Sequence, residues 1–128
     1  MGLNVLVVDD SAAIRKILQR VLEQIGIDIG TIYEAADGKE ALKKLEAHDI
    51  GLVLSDIIMP NMDGLQLLTA VRARREWRDI PVIMITTEGS QNRVMDALQL
   101  GAKGYVRKPF TAEQIREKVS ACLLAVGR

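Results

Sequence analysis

Little in this chain could tie it to a membrane, a disulfide scaffold or a polyanion. Its 128 residues include one cysteine, Cys122, so no internal disulfide can form, and such sparing use suits a reducing cytoplasm. The apolar runs span about five to seven residues where a membrane helix needs ~20. Met1-Gly2 opens like a myristoylation signal, but Leu6 stands where that motif wants Ser or Thr, and the basic start of a signal peptide is missing. Net charge is missing too, since 17 basic and 17 acidic side chains cancel and leave no global field to draw the chain onto nucleic acid. The expectation is a soluble cytoplasmic protein whose partners recognise it locally, without nucleic acid or membrane.

What the chain does have is a hydrophobic fraction of 48%, enough for the packed core of one domain over residues 1–128. Five short apolar runs each stop at a defined point: Asp9-Asp10, Ala35, Asp56, Thr86 and Lys108. Strands are expected over 3–8, 31–35, 51–55, 80–86 and 104–107. Between them, apolar residues recur at three and four, as in Ile14, Ile17, Leu18, Val21, Leu22 and Ile25, which predicts helices over 12–25, from Asp37 through Leu45, and over 65–74, 91–100 and 112–125. Asp37 reads as an N-cap, Gly26 and Gly101 as stops, and Met59-Pro60-Asn61-Met62-Asp63-Gly64 as a turn. Strand and helix alternating five times define an α/β fold with a parallel sheet. In such a sheet the carboxyl ends of all strands share one edge, so the five stops converge on one crevice.

The residues in that crevice have complementary chemistry. Asp9 and Asp10 are adjacent carboxylates at the end of a buried strand, and a cation relieves their repulsion. Carboxylate oxygens suit a hard ion such as Mg²⁺. Asp56 is the third acid, adjacent if strands one and three are neighbours. The Lys108 ammonium could neutralise an anion, and the Thr86 hydroxyl could donate to a phosphoryl oxygen. Lys108-Pro109 is a candidate cis bond, which the sequence leaves open. Elsewhere, His48 has no second imidazole or cysteine at ligand spacing, Cys122 reads as a small apolar residue of the last helix, and Trp77 as a partly buried anchor. Arg15, Lys16, Arg72, Arg74, Arg75 and Arg78 read as solvated faces with acidic counterparts.

Taken together, Val7-Val8-Asp9-Asp10-Ser11, Ser55-Asp56-Ile57-Ile58-Met59-Pro60 with Met62-Asp63-Gly64, Ile83 to Thr86, and Gly101-Ala102-Lys103-Gly104-Tyr105 running into Lys108-Pro109-Phe110 resemble the response-regulator receiver domain. The resemblance covers essentially the whole chain and is nearest to a single-domain chemotaxis receiver. It implies a doubly wound five-stranded sheet in the order 2-1-3-4-5 with five helices. It also implies a phosphorylation switch rather than an enzyme acting on a separate substrate. Asp56 would be the phosphoacceptor for a histidine kinase or histidine phosphotransfer protein, assisted by Lys108 and Thr86. Asp9, Asp10, Asp56 and the Ile58 backbone carbonyl would hold Mg²⁺. Thr86 and Tyr105 would form the switch, and the fourth helix, fifth strand and fifth helix would present its output to a protein target. The resemblance further implies a monomer without an output domain, with a phosphorelay intermediate or a phosphorylation-independent module of the same fold as alternatives.

Three positions depart from the chemotaxis receiver this chain most resembles. Ile58 replaces a polar asparagine, Thr87 a small alanine, and Ile57 a tryptophan. Ile58, Thr87 and Glu88 are therefore expected to set the phosphoryl lifetime, with Ile58 lengthening it by hindering the attacking water. An aspartate-nucleophile phosphohydrolase would want a second acid at Ile58, and a flavin protein of similar topology would want a Ser/Thr/Gly-rich phosphate loop where Asp9-Asp10 stand. Both are disfavoured.

Overall fold

Strands β3 (Leu52–Asp56) and β4 (Val82–Thr86) are buried at every residue, which requires helices over both faces of the sheet. The computed structural model describes residues 2–87 and 91–126. Within them, β1 (Leu3–Val8), β2 (Ile29–Ala35) and β5 (Gly104–Arg107) complete a five-stranded parallel sheet in the order β2-β1-β3-β4-β5. The helices are α1 (Ala12–Gln24), α2 (Gly38–Ala47), α3 (Gly64–Ala73), α4 (Gln91–Gln99) and α5 (Ala112–Val126). Fold class and strand order are as expected from the resemblance.

Strand periodicity sorts the core into two layers, because successive side chains point to opposite faces. Leu6, Val8, Val53 and Met84 pack with Ala41, Leu45, Leu67, Leu68, Val71 and Val94 of α2, α3 and α4. Val5, Val7, Leu54 and Ile85 pack with Leu18, Leu22, Ile115 and Val119 of α1 and α5. Cys122 lies in the second layer as a buried apolar residue, and burial pushes its thiol pKa up.

Local signals place the helix ends. The Ser11 hydroxyl accepts the Ile14 N–H, Asp37 accepts from Glu40, and Asp63 forms a reciprocal capping box with Gln66. Gly26 and Gly101, at φ 80° and 106°, supply the left-handed stops after α1 and α4. The clearest boundary error concerns β2, which starts at Ile29 rather than Thr31. Leu3 pairs with Ile29 and the register shifts before Val5, while the Asn4 side chain accepts the Thr31 N–H. A Cβ on Gly30 would lie 2.5 Å from that Asn4 oxygen, so the residue that weakens the apolar pattern is the one the close approach requires. Strands β3 and β4 begin one and two residues later than expected, at Leu52 and Val82.

Candidate functional site

The parallel ladder runs one residue past the strands and thereby fixes the site's backbone. Asp9 N–H donates to the Ala35 carbonyl at 3.1 Å, Ile57 to Ile85 at 3.3 Å, and Lys108 to Thr86 at 2.7 Å. Asp9, Asp56, Thr86 and Lys108 thus stand along the carboxyl edge on rigid elements. Beyond Asp56 the chain turns back closely, and Gly64 N–H donates to the Ile57 carbonyl at 2.7 Å. A Cβ on Gly64 would lie 2.3 Å from the Asp56 carbonyl oxygen, so only glycine lets α3 begin there.

Asp9 and Asp56 are held alike. One oxygen of each accepts a backbone N–H two residues on, from Ser11 at 2.8 Å and Ile58 at 3.3 Å. The other oxygen of each accepts from Lys108 Nζ, at 3.0 Å and 3.1 Å. Asp9 is fully buried, Asp56 is buried and Asp10 is exposed; each offers an oxygen to one cluster whose ligand atoms all lie within 4.8 Å of one another. Three carboxylates against one ammonium leave net negative charge in a low-dielectric crevice, and burial pushes the Asp56 pKa up, with Asp9 adding to the effect and Lys108 opposing it. Burial alone would lower Lys108, but its hydrogen bonds to Asp9 and Asp56 outweigh it and raise the pKa. An all-oxygen, anionic donor set in which one acid faces solvent fits a hard divalent cation that keeps several waters. Lys108-Pro109 is cis.

The other expected residues lie on the neighbouring strands and their connections. Thr86 is buried, and its hydroxyl donates to the Thr87 carbonyl at 3.0 Å. Tyr105 is exposed, with Lys118 Nζ 5.9 Å from its ring centre. Thr86, Met95, Leu98 and Tyr105 line a cavity of about 440 Å³ against α4 and β5. Ile58 and Thr87 are exposed, while Ile57 is fully buried. Glu88 lies outside the described residues. Trp77 is more buried than expected, and Arg74 stacks over it 4.0 Å from the ring centre.

Arg72 requires a correction. It does not belong to a solvated face, because its half-buried guanidinium donates to the carbonyls of Arg78, Ile80 and Gly101. The sequence showed only an arginine among other basic residues at a helix end, and no local pattern revealed three converging carbonyls. Arg15 does have its acidic counterpart, Glu34 at 2.9 Å, and it also donates to the Asp9 carbonyl at 2.7 Å, a role the sequence left invisible. Sequence reasoning likewise missed two links to the turn after β3, Asn61 to Asp37 at 2.7 Å and Arg93 to Asp63 at 3.5 Å. The turn residues and the Asp37 cap were legible, but not that they meet.

A doubly wound parallel sheet with an acid cluster and a lysine at its carboxyl edge is the arrangement that the resemblance to a receiver domain implies. The chain belongs to the response regulator receiver domain family, whose profile matches residues 5–120. Chemotaxis protein CheY1 of Helicobacter pylori is 41% identical over 122 residues, covering 94% of this chain and 97% of that protein. The Campylobacter jejuni chemotaxis protein CheY homolog is 39% identical, covering 94% and 92%. Among solved structures, the chemotaxis response regulator CheY4 of Vibrio cholerae has a TM-score of 0.85 at 33% identity, covering 96% of this chain and all of that one. No described helix is long and apolar enough to cross a membrane.

Proposed function

We propose that this receiver domain is a phosphorylation switch, with Asp56 as the acceptor of a phosphoryl group from a phosphohistidine on a kinase or phosphotransfer protein. One observation carries the reading. Lys108 bridges Asp9 and Asp56 at 3.0 and 3.1 Å, within a three-acid cluster still short of positive charge.

A carboxylate oxygen of Asp56 forms the new P–O bond as the donor's P–N bond breaks, the electron pair staying on the imidazole. Phosphoryl transfer asks the protein for positioning and charge neutralisation more than for a general base. The strand-end ladder fixes Asp56, and Lys108 neutralises the phosphoryl oxygens as they approach. Asp9, Asp10, Asp56 and the Ile58 carbonyl would hold Mg²⁺, which supplies further positive charge to those oxygens when bound. Thr86 then turns its hydroxyl from the Thr87 carbonyl to a phosphoryl oxygen, and Tyr105 turns inward, for which the adjoining cavity has room. The phosphoryl group shifts this equilibrium only as far as it favours one arrangement over the other. The face of α4, β5 and α5 carries the output to a protein target, in chemotaxis-type signalling by a monomer.

Intact mass after incubation with acetyl phosphate tests this reading. A gain of one phosphoryl group that needs Mg²⁺ and vanishes in Asp56→Asn is expected. Folded native protein that gains nothing would overturn it in favour of a phosphorylation-independent module. Ile58 stands half exposed beside the acceptor, so Ile58→Asn is expected to hydrolyse its phosphoryl group faster; equal half-lives would remove that role.

A further inference from the structure

The turn that carries Ile58 out of β3 is tied at its base, where Ile58 N–H donates to Asp56 and Gly64 N–H to the Ile57 carbonyl. Ile58, Pro60 and Asn61 are exposed or partly so, and the buried Met59 is a flexible, unbranched anchor that fixes depth better than direction. Besides the Met62 N–H to Pro60 carbonyl bond within the turn and the Arg93–Asp63 pair at its end, the directional contacts at its tip come from the start of α2, which carries none of the expected site residues. Asn61 adopts a left-handed φ of 67° and donates its side-chain amide to Asp37 Oδ2 at 2.7 Å. Asp37 is buried, and its other oxygen caps α2 by accepting Glu40 N–H at 2.9 Å. Gly38 N–H donates to the Met62 carbonyl at 3.0 Å, and a Cβ on Gly38 would sit 2.5 Å from Met62 Cγ. The tip of the turn is thus hooked to the first turn of α2 by one side-chain and one backbone bond.

We propose that Asn61 and Asp37 form a clamp that positions the turn after β3, and with it the Ile58 backbone, beside Asp9, Asp10 and Asp56. The inference rests on the phosphoacceptor reading, in which Ile58 contributes its carbonyl to the cation. Asn61 is a positioning residue that acts through the turn. Its left-handed backbone is open to asparagine and glycine at little cost, but glycine has no amide to donate.

Asn61→Gly therefore keeps the turn's backbone while cutting the clamp. The exchanged pair, Asp37→Asn with Asn61→Asp, restores a bond of opposite polarity, and the new amide side chain at position 37 can still cap α2 through its carbonyl oxygen. Mg²⁺ titration followed by amide chemical shifts, with amide hydrogen exchange in metal-free protein, reads the result. In Asn61→Gly, Mg²⁺ affinity is expected to fall about tenfold, the low end of what loosening the groups that orient a metal ligand costs. Exchange at Ile58 and Gly38 should quicken, unfolding should stay near native, and the exchanged pair should recover most of both losses. Native affinity in Asn61→Gly, or no recovery in a folded exchanged pair, would overturn the clamp. Native protein that binds no Mg²⁺ would instead sink the reading on which it rests. The clamp would then stand or fall on exchange at Ile58, with native exchange in Asn61→Gly overturning it.

Discussion

At the amino edge of the sheet, Arg72 directs one guanidinium to three backbone carbonyls, at 3.1, 2.7 and 2.8 Å, whereas at the carboxyl edge Lys108 divides one ammonium between two carboxylates. Both cations are partly buried and both join segments distant in sequence. Their surroundings differ in balance. Arg72 meets neutral oxygens that need a donor, feels the opposite charge of Asp79, and ties α3 to the approaches of β4 and β5. Lys108 meets two of three clustered acids and leaves the cluster with more acid than base. Polar groups at one edge tie backbone segments together, and those at the other leave an excess of acid; what separates them is net charge, not burial.

The sharpest way to break this comparison is to remove each cation in turn. Lys108→Met should slow phosphoryl uptake from acetyl phosphate by at least about a hundredfold, the usual cost of losing a preorganised donor at a developing anion. Uptake at the native rate, followed by intact mass, would mean that the carboxyl edge is not built around its charge. Arg72→Met should do the reverse, lowering unfolding free energy by about 3 kcal/mol in urea for the charge-assisted bonds it loses, with the uptake rate per folded molecule unchanged. A slowed rate in Arg72→Met would show that the two edges communicate.

A smaller effect sharpens the contrast through pH. Because burial raises the Asp56 pKa in the folded protein, ionising it costs stability. Metal-free stability therefore falls as pH rises from the ordinary carboxyl range toward the raised folded value, and stays lower above it. Asp56→Asn should accordingly melt higher than native protein at neutral pH without metal, and lose that advantage in acid or when the native protein is given Mg²⁺. Equal melting temperatures at neutral pH would show that Lys108 already offsets the cost.

The site was more legible than its supports. Asp9, Asp56, Thr86 and Lys108 each terminate an apolar run, so strand periodicity and the parallel-sheet rule were enough to bring them to one edge. Arg72 was misread as a solvated face, since a helix-rim arginine with polar neighbours looks the same whether it meets water or carbonyls. The start of β2 was missed because Gly30 breaks the apolar pattern where Asn4 must approach.

By itself, the sequence determined the alternation of strands and helices, the cap at Asp37, the glycine stops and the identity of the edge residues, because each depends on neighbours within a turn or a strand. Tertiary structure alone decided that Lys108 lies between two acids 99 and 52 residues away, that Arg72 reaches a carbonyl 29 residues on, and that Asn61 hooks a cap 24 residues back. Those contacts follow from how the helices dock on the twisted sheet, and no local period encodes the distance between residues that packing brings together.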